Sequence, residues 1–266
     1  MPPLTRDSIK THRFRLGLVG DTKQGKSRIA STSERPFIFD GENGLVSCLD
    51  ILTSPERANP EPFGYYFPEA FQNNDPKFPT GWKTFKKVVE AFSRREMFKL
   101  DGVEIDPNKY RTCVFDSSTF LLDLAWNEGI ADFMRDGSRN AYAKYQTYAE
   151  ECKWLKRMGL KLHDTGFDLV AVFHTMDRER DPKTAEVTKH QPYMEGRAAP
   201  QIILPLFDEF WGVTGRKVLT KGGELFETTA HTSQFGKFQC IGSKHNYPSN
   251  ITNPDLTKLF HEFRAA

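Results

Sequence analysis

The sequence predicts an α/β fold, a mostly parallel β-sheet with helices on both faces. Three observations predict it. First, short, continuously apolar runs alternate with longer segments of helical period; Phe37-Ile38-Phe39, Thr112-Cys113-Val114-Phe115 and Leu169-Val170-Ala171-Val172-Phe173 are the clearest. A strand of a parallel sheet is covered on both sides, so it reads as an unbroken apolar run. Second, each run stops at a polar residue: Asp40, Asp116 and His174. Third, the run Arg13 to Val19 leads into Gly20-Asp21-Thr22-Lys23-Gln24-Gly25-Lys26-Ser27. That octapeptide fits the phosphate-binding pattern G-x-x-x-x-G-K-[ST] without a mismatch.

The elements follow in order. Arg13 to Val19 is the first strand, and Ser27-Arg28-Ile29-Ala30 starts a helix. A strand, a tight loop and a helix N-terminus aim several backbone N–H groups at one place, which holds the β- and γ-phosphates of a nucleotide. Phe37 to Asp40 is the second strand. Ser54 to Pro79, rich in Pro, Asn and Gly, is expected as a surface excursion. Trp82 to Phe98 has Phe85, Val88, Val89 and Phe92 on one helical face. Tyr110 to Phe115 is a strand, and Phe120 to Trp126 continues as helix. Asn127 to Asn140 is polar, with Gly129 and Gly137, and reads as loop. Tyr142 to Leu162 is a long amphipathic helix, and Asp168 to Phe173 is the next buried strand. Asp177 to Pro200 is charged and expected to be mobile. Ile202 to Trp211 is a further apolar segment. Lys217 to Thr220 and Glu224 to Glu227 flank Lys221-Gly222-Gly223 and predict a hairpin. Asp255 to Phe263 is the last helix. Crossovers in such a sheet are right-handed, and ligands bind at the carboxyl ends of the strands. Gly20, Asp40, Asp116 and His174 all fall at such ends.

The chain of 266 residues reads as one domain, with a core at about 13–213 and a C-terminal hairpin and helix, 214–266, as an appendage. A net charge of +2 gives no global field toward nucleic acid, so any basic surface is local. Cys48, Cys113, Cys152 and Cys240 form no C-x-x-C pair, and three of them sit in apolar or helical settings and read as reduced core residues, which favours a cytoplasmic protein. The N-terminus has no apolar signal core, and no apolar run reaches the length of a membrane span. Cys240 and His245 are close, but two ligands do not make a zinc site.

The candidate chemistry centres on Lys26, which would reach the β- and γ-phosphates, and Ser27, whose hydroxyl would serve Mg²⁺. Asp116 can hold the metal's hydration shell opposite Ser27, or cap the next helix together with Ser117-Ser118-Thr119. Glu42 is the best-placed general base for a hydrolytic water; its alternative is a solvated turn residue. His174 is either a sensor of the γ-phosphate or a strand-end histidine bonded to backbone. Asp21 to Gln24 lack the extra glycines common in such loops, which predicts weaker binding or a stiffer loop.

With these residues in order, the chain resembles the RecA-like P-loop ATPases. Among them it is most similar to phage-encoded AAA-type nucleotide-binding proteins linked to single-strand annealing and recombination. Gly20 to Ser27, Phe37 to Gly44, Val114 to Ser117 and Val172 to His174 carry the resemblance. It implies ATP and Mg²⁺ as cofactors, with Gly20, Asp21, Thr22, Lys23, Gln24, Gly25, Lys26 and Ser27 around the phosphates. It implies Ser27 and Asp116 at the metal, and Glu42, Lys26 and His174 in catalysis. It further implies a ring or filament of identical subunits, with a basic finger from a neighbour; Arg178, Arg180, Arg197 and Lys244 are the candidates. Single-stranded DNA is expected at Asn127 to Lys144, through Arg135, Arg139, Tyr142 and Lys144. It is also expected at Asp177 to Arg197, through Arg178, Arg180, Lys183, Lys189, His190, Tyr193 and Arg197. The implied function is ATP-coupled single-stranded DNA binding in phage recombination or replication, in the host cytoplasm. A nucleotide-dependent interaction module with little hydrolysis is the alternative. A small GTPase ranks last, because His174-Thr175-Met176-Asp177 only faintly echoes N-K-x-D.

Overall fold

The computed structural model describes residues 12–67, 80–135, 143–180, 187–220, 223–234, 240–245 and 247–265. The strands are β1 Arg15–Gly20, β2 Pro36–Asp40, β3 Gly64–Tyr66, β4 Phe98–Leu100, β5 Val103–Ile105, β6 Thr112–Asp116, β7 Asp168–Arg180, β8 Val187–Pro192, β9 Glu209–Thr220, β10 Gly223–His231 and β11 Asn250–Thr252. The helices are α1 Lys26–Ser31, α2 Leu49–Leu52, α3 Thr80–Arg94, α4 Ser118–Arg135, α5 Ala143–Asp164, α6 Ala198–Ile203 and α7 Leu256–Ala265.

The main sheet runs β11-β10-β9-β1-β7-β6-β2-β3, with β8 paired to β7. From β9 to β3 every neighbouring pair is parallel, while β10 and β11 extend the edge antiparallel. Later strand β7 is inserted between β1 and β6, so the ends of β1, β7, β6 and β2 lie side by side. The expected fold class, an α/β architecture with a mostly parallel sheet and helices on both faces, is the one observed.

Two apolar layers cover the sheet. On one face Phe37, Phe39, Phe115, Leu169 and Ala171 pack against Phe85, Val88, Val89 and Phe92 of α3 and against α4 and α5. On the other, Leu16, Leu18, Ile38, Val114, Val170 and Val172 pack against Ile29 of α1 and Leu256 and Phe260 of α7. Alternate residues of each strand therefore feed opposite layers, which is why the strands read as continuously apolar. Phe14, just ahead of β1, stacks on Phe260 with ring centroids 4.0 Å apart.

Four expectations are corrected. Helix α3 ends at Arg94 rather than Phe98, because Arg95 takes φ 54°; Phe98 then opens a β4–β5 hairpin. The stretch after Trp126 is not loop: α4 continues to Arg135. Gly129 does not break it. A Cβ there would come 2.7 Å from Lys144 O, so the glycine lets α5 approach closely. The stretch expected as surface excursion contributes β3, a parallel edge strand beside β2; residues 68–79 lie outside the described residues. Finally, the charged stretch from Asp177 is strand where it is described, at 177–180 and 187–192. Strand β7 runs past His174 to Arg180 and pairs antiparallel with β8, from Thr175↔Pro192 to Arg180↔Val187. The predicted β9–β10 hairpin is present, with Lys217 opposite Phe226.

Candidate functional site

The sheet order sets the site. β1 delivers the Gly20–Ser27 loop, β2 delivers Asp40 and Glu42, β6 delivers Asp116, and β7 delivers His174. A cavity of about 510 Å³ opens between them, lined among others by Lys26, Ser27, Glu42, Asp116 and His174. All the sequence-predicted catalytic and metal residues meet there.

Within the loop, Gly25 takes φ 87° and Lys23 takes φ 62°. Glycine carries the first at no steric cost. Helix α1 begins at Lys26 and is only six residues long. The non-glycine interior is anchored by its side chains. Asp21 Oδ1 accepts the Thr175 hydroxyl of β7, and Gln24 Oε1 accepts the Gly215 N–H of β9. These contacts tie the loop interior to β7 and β9. Lys26 Nζ donates to Asp21 O at 2.6 Å, so the amine folds back over its own loop. Burial lowers its pKa, against the opposing charges of Glu42, Asp116 and Asp21.

Asp40 is buried and organises the next turn. Its carboxylate accepts the N–H groups of Glu42 (2.9 Å), Gly44 (3.1 Å) and Leu45 (3.0 Å). Gly41 N–H also donates to Asp116 O at 2.6 Å, which binds this turn to the end of β6. Glu42 is thereby aimed at the cavity rather than at solvent. Its Oε1 lies 2.5 Å from His174 Nε2. Burial pushes the Glu42 carboxyl up, but hydrogen bonds from His174 and Ser117 and the charges of His174 and Lys26 outweigh it and hold it below its ordinary value. The His174 N–H donates to Thr119 Oγ1 at 3.1 Å, and its ring meets Phe120 edge-on at 5.6 Å. The imidazole is thus committed to the cavity, not to a backbone carbonyl.

Asp116 is buried, and burial raises its carboxyl to about 7 despite the hydrogen bond from Ser27. A buried carboxylate facing a hydroxyl, crowded by the charges of Glu42 and Asp40 and partly offset by Lys26, fits a hard divalent cation that keeps most of its water. Among the described residues no cluster of three or more His, Cys, Asp or Glu could hold a metal by itself. Gly44 covers this point; a Cβ on it would lie 3.8 Å from Asp116 Oδ2 and 4.0 Å from Ser27 Oγ. The Asp116–Ser117 peptide is cis.

The model of a family described as an AAA domain matches residues 12–239. The chain belongs to that family. Comparison with curated proteins finds no match. Among solved structures, this AAA domain is similar to the flagellar accessory protein FlaH from Methanocaldococcus jannaschii, at 13% identity and a TM-score of 0.37, over 96% of this chain and 95% of that one. The family supports a nucleotide-binding domain of the P-loop ATPase type. No helix among the described residues is long and apolar enough to cross a membrane.

Several working residues of the AAA domain escaped sequence reasoning. Asp40 organises the Glu42 turn. Thr119 takes the His174 N–H, and Phe120 meets its ring. Thr175 and Gly215 anchor the loop. Their partners lie many residues away, so no local pattern marks them. Arg139, Tyr142 and Lys183, and the side chains of Arg135, Arg178, Arg180 and Lys189, lie outside the described residues. Lys144 Nζ rests over the rings of Trp126 (5.5 Å) and Tyr145 (5.2 Å). The Tyr193 hydroxyl donates to Glu195 at 2.9 Å. Arg197 is exposed. Lys244 pairs with Asp208 beside Arg15, at the amino end of β1.

Proposed function

We propose that this AAA domain binds ATP with Mg²⁺ in the cavity above β1, β7, β6 and β2 and hydrolyses it. The convergence of Lys26, Ser27, Glu42, Asp116 and His174 on one cavity carries the reading. Gly20 to Ser27 wrap the phosphates, and Lys26 leaves Asp21 O to meet the β- and γ-phosphates. Ser27 and Asp116 hold the metal, which neutralises phosphate charge when bound. Glu42 orients the attacking water and takes its proton. Lys26 stabilises charge on the transferring phosphoryl group. His174 fixes the Glu42 carboxylate and stands where the γ-phosphate would press on it.

We further propose that hydrolysis is coupled to single-stranded DNA binding in a cytoplasmic, phage-linked recombination or replication role, in an assembly of identical subunits. What supports this is the resemblance, together with the continuity of β7. His174 sits on the same strand that runs on into the β7–β8 hairpin, and Tyr193 N–H donates to His174 O at 2.8 Å. A displacement of His174 therefore reaches the hairpin through one backbone. Basic groups and tyrosines there would meet phosphates and bases.

The test measures ATP turnover and oligomer size for wild type and Lys26→Ala, each with and without single-stranded DNA and Mg²⁺. Turnover stimulated by DNA and absent in Lys26→Ala is expected. Wild-type turnover in Lys26→Ala would sink the assignment. The second reading, a nucleotide-dependent switch that scarcely hydrolyses, is favoured by one observation: the Glu42 carboxylate is already held by His174. Tight ATP binding with negligible turnover, with or without DNA, would select it.

A further inference from the structure

Phe226 lines the same cavity as Lys26, Ser27 and Glu42, and among the described residues it is the one side chain in that lining with a benzene ring. A lone exposed aromatic needs no explanation on most surfaces. This one is seated. It stands on β10 opposite Lys217, and its edge rests on Gly215 of β9, where a Cβ would come 2.4 Å from Phe226 Cζ. Its Cε1 lies 3.4 Å from where a Cβ on Gly25 would be. Gly215 in turn donates its N–H to Gln24 of the phosphate loop. The ring is held against the loop by two glycines, yet it remains 45% exposed.

The sheet order gives that position a meaning. In the sequence β10-β9-β1-β7-β6-β2, Phe226 lies on one side of the β1 loop. Asp116, His174 and Glu42 lie on the other. A nucleotide whose terminal phosphate points at Glu42 and His174 extends its other end toward β10. Nearby Arg28 is occupied by Asp50, at 2.8 Å, and Lys217 by Glu224, at 2.9 Å.

We infer that Phe226 is the platform on which the base of the bound nucleotide stacks. The inference rests on the nucleotide reading above and adds the subsite that reading lacks. An aromatic face takes any base, so it supplies affinity more than choice between purines.

The experiment compares binding of ATP and of inorganic tripolyphosphate to wild type, Phe226→Ala, Phe226→Leu and Phe226→Trp by calorimetry. Leucine keeps the apolar seat without the π-face, so it separates stacking from packing. Phe226→Ala and Phe226→Leu are expected to weaken ATP roughly tenfold and leave tripolyphosphate unchanged. Phe226→Trp is expected to bind ATP at least as well as wild type, with its indole fluorescence quenched. Unchanged ATP affinity in Phe226→Leu overturns the inference, and so does an equal loss for both ligands. Wild type that binds neither ATP nor tripolyphosphate overturns the nucleotide reading itself, and the inference with it.

Discussion

Glu42 Oε1 and His174 Nε2 meet at 2.5 Å although 132 residues separate them in the chain. The contact ties the turn after β2 to the end of β7 and holds the Glu42 carboxyl below its ordinary value. Two variants separate its roles. Glu42→Gln keeps the hydrogen-bonding shape and removes the base, so ATP affinity should persist while turnover falls roughly 10²- to 10⁴-fold. His174→Ala leaves the base but removes the strongest of the groups that lower it, with Ser117 and Lys26 remaining, so the carboxyl rises. Glu42 works only when ionised, so the acid limb of the rate profile should move to higher pH in His174→Ala. A profile that stays in place would show that His174 does not tune Glu42.

Gly25→Ala should damage the phosphate loop directly. The position has φ 87°, and an added Cβ would come 2.2 Å from Thr228 Cγ2. Backbone strain of this kind costs about 1–3 kcal/mol, and the clash with β10 adds to it. We expect a lower melting temperature and ATP affinity reduced more than tenfold. An unshifted melting curve with normal ATP binding would mean that the loop can move away from β10.

The legibility of this chain follows from the range of each interaction. Gly20 to Ser27, Asp40, Asp116 and His174 were readable because a strand's end is marked locally, by an apolar run that stops at a polar residue. Glu42 was readable as a position; its commitment to the cavity required the three N–H bonds onto Asp40 and the distant His174. Helix α4 was underestimated because Gly129 reads as a breaker, whereas its lack of a side chain serves the crossing with α5. The β7–β8 hairpin was missed because its charged residues suggest solvent, while pairing needs only backbone groups. Phe226 carried no local signal. Its meaning comes from β10 lying two strands from β1.

Asp123 offers a pH-dependent stability test away from the phosphates. It lines a groove beside the cavity with Phe120, His174 and Tyr193. Burial, with a further push from Glu195, raises its carboxyl to about 7. The folded protein therefore holds a proton that the unfolded chain releases near its ordinary value of 3.8. Stability tied to this group is present below about pH 4 and is lost as pH rises toward 7. Asp123→Asn removes that loss. Its gain over wild type should be absent at pH 4 and grow up to pH 8, to at most about 4 kcal/mol, trimmed by solvent at the groove. Urea titrations at four pH values measure it, and a pH-independent difference would refute the cause.

Arg264 should matter far more to stability than most charges on this protein. Its Nη2 lies 2.7 and 2.6 Å from the two oxygens of Asp168, and its Nε donates to His12 O at 3.0 Å. Asp168 is fully buried and also accepts the Phe14 N–H at 2.8 Å. The pair pins α7 to the starts of β1 and β7. Removing one partner of such a pair strands the other's charge in the interior and costs about 3–5 kcal/mol. Arg264→Ala should lower the unfolding free energy by that order, while Arg264→Lys recovers part of it, because one ammonium cannot reach both Asp168 and His12 O. The control is Lys153, whose pair with Glu150 is exposed on both sides; Lys153→Ala should change stability by less than about 1 kcal/mol. Equal effects of Arg264→Ala and Lys153→Ala in urea unfolding would show that α7 is held by its apolar contacts and not by the pair with Asp168.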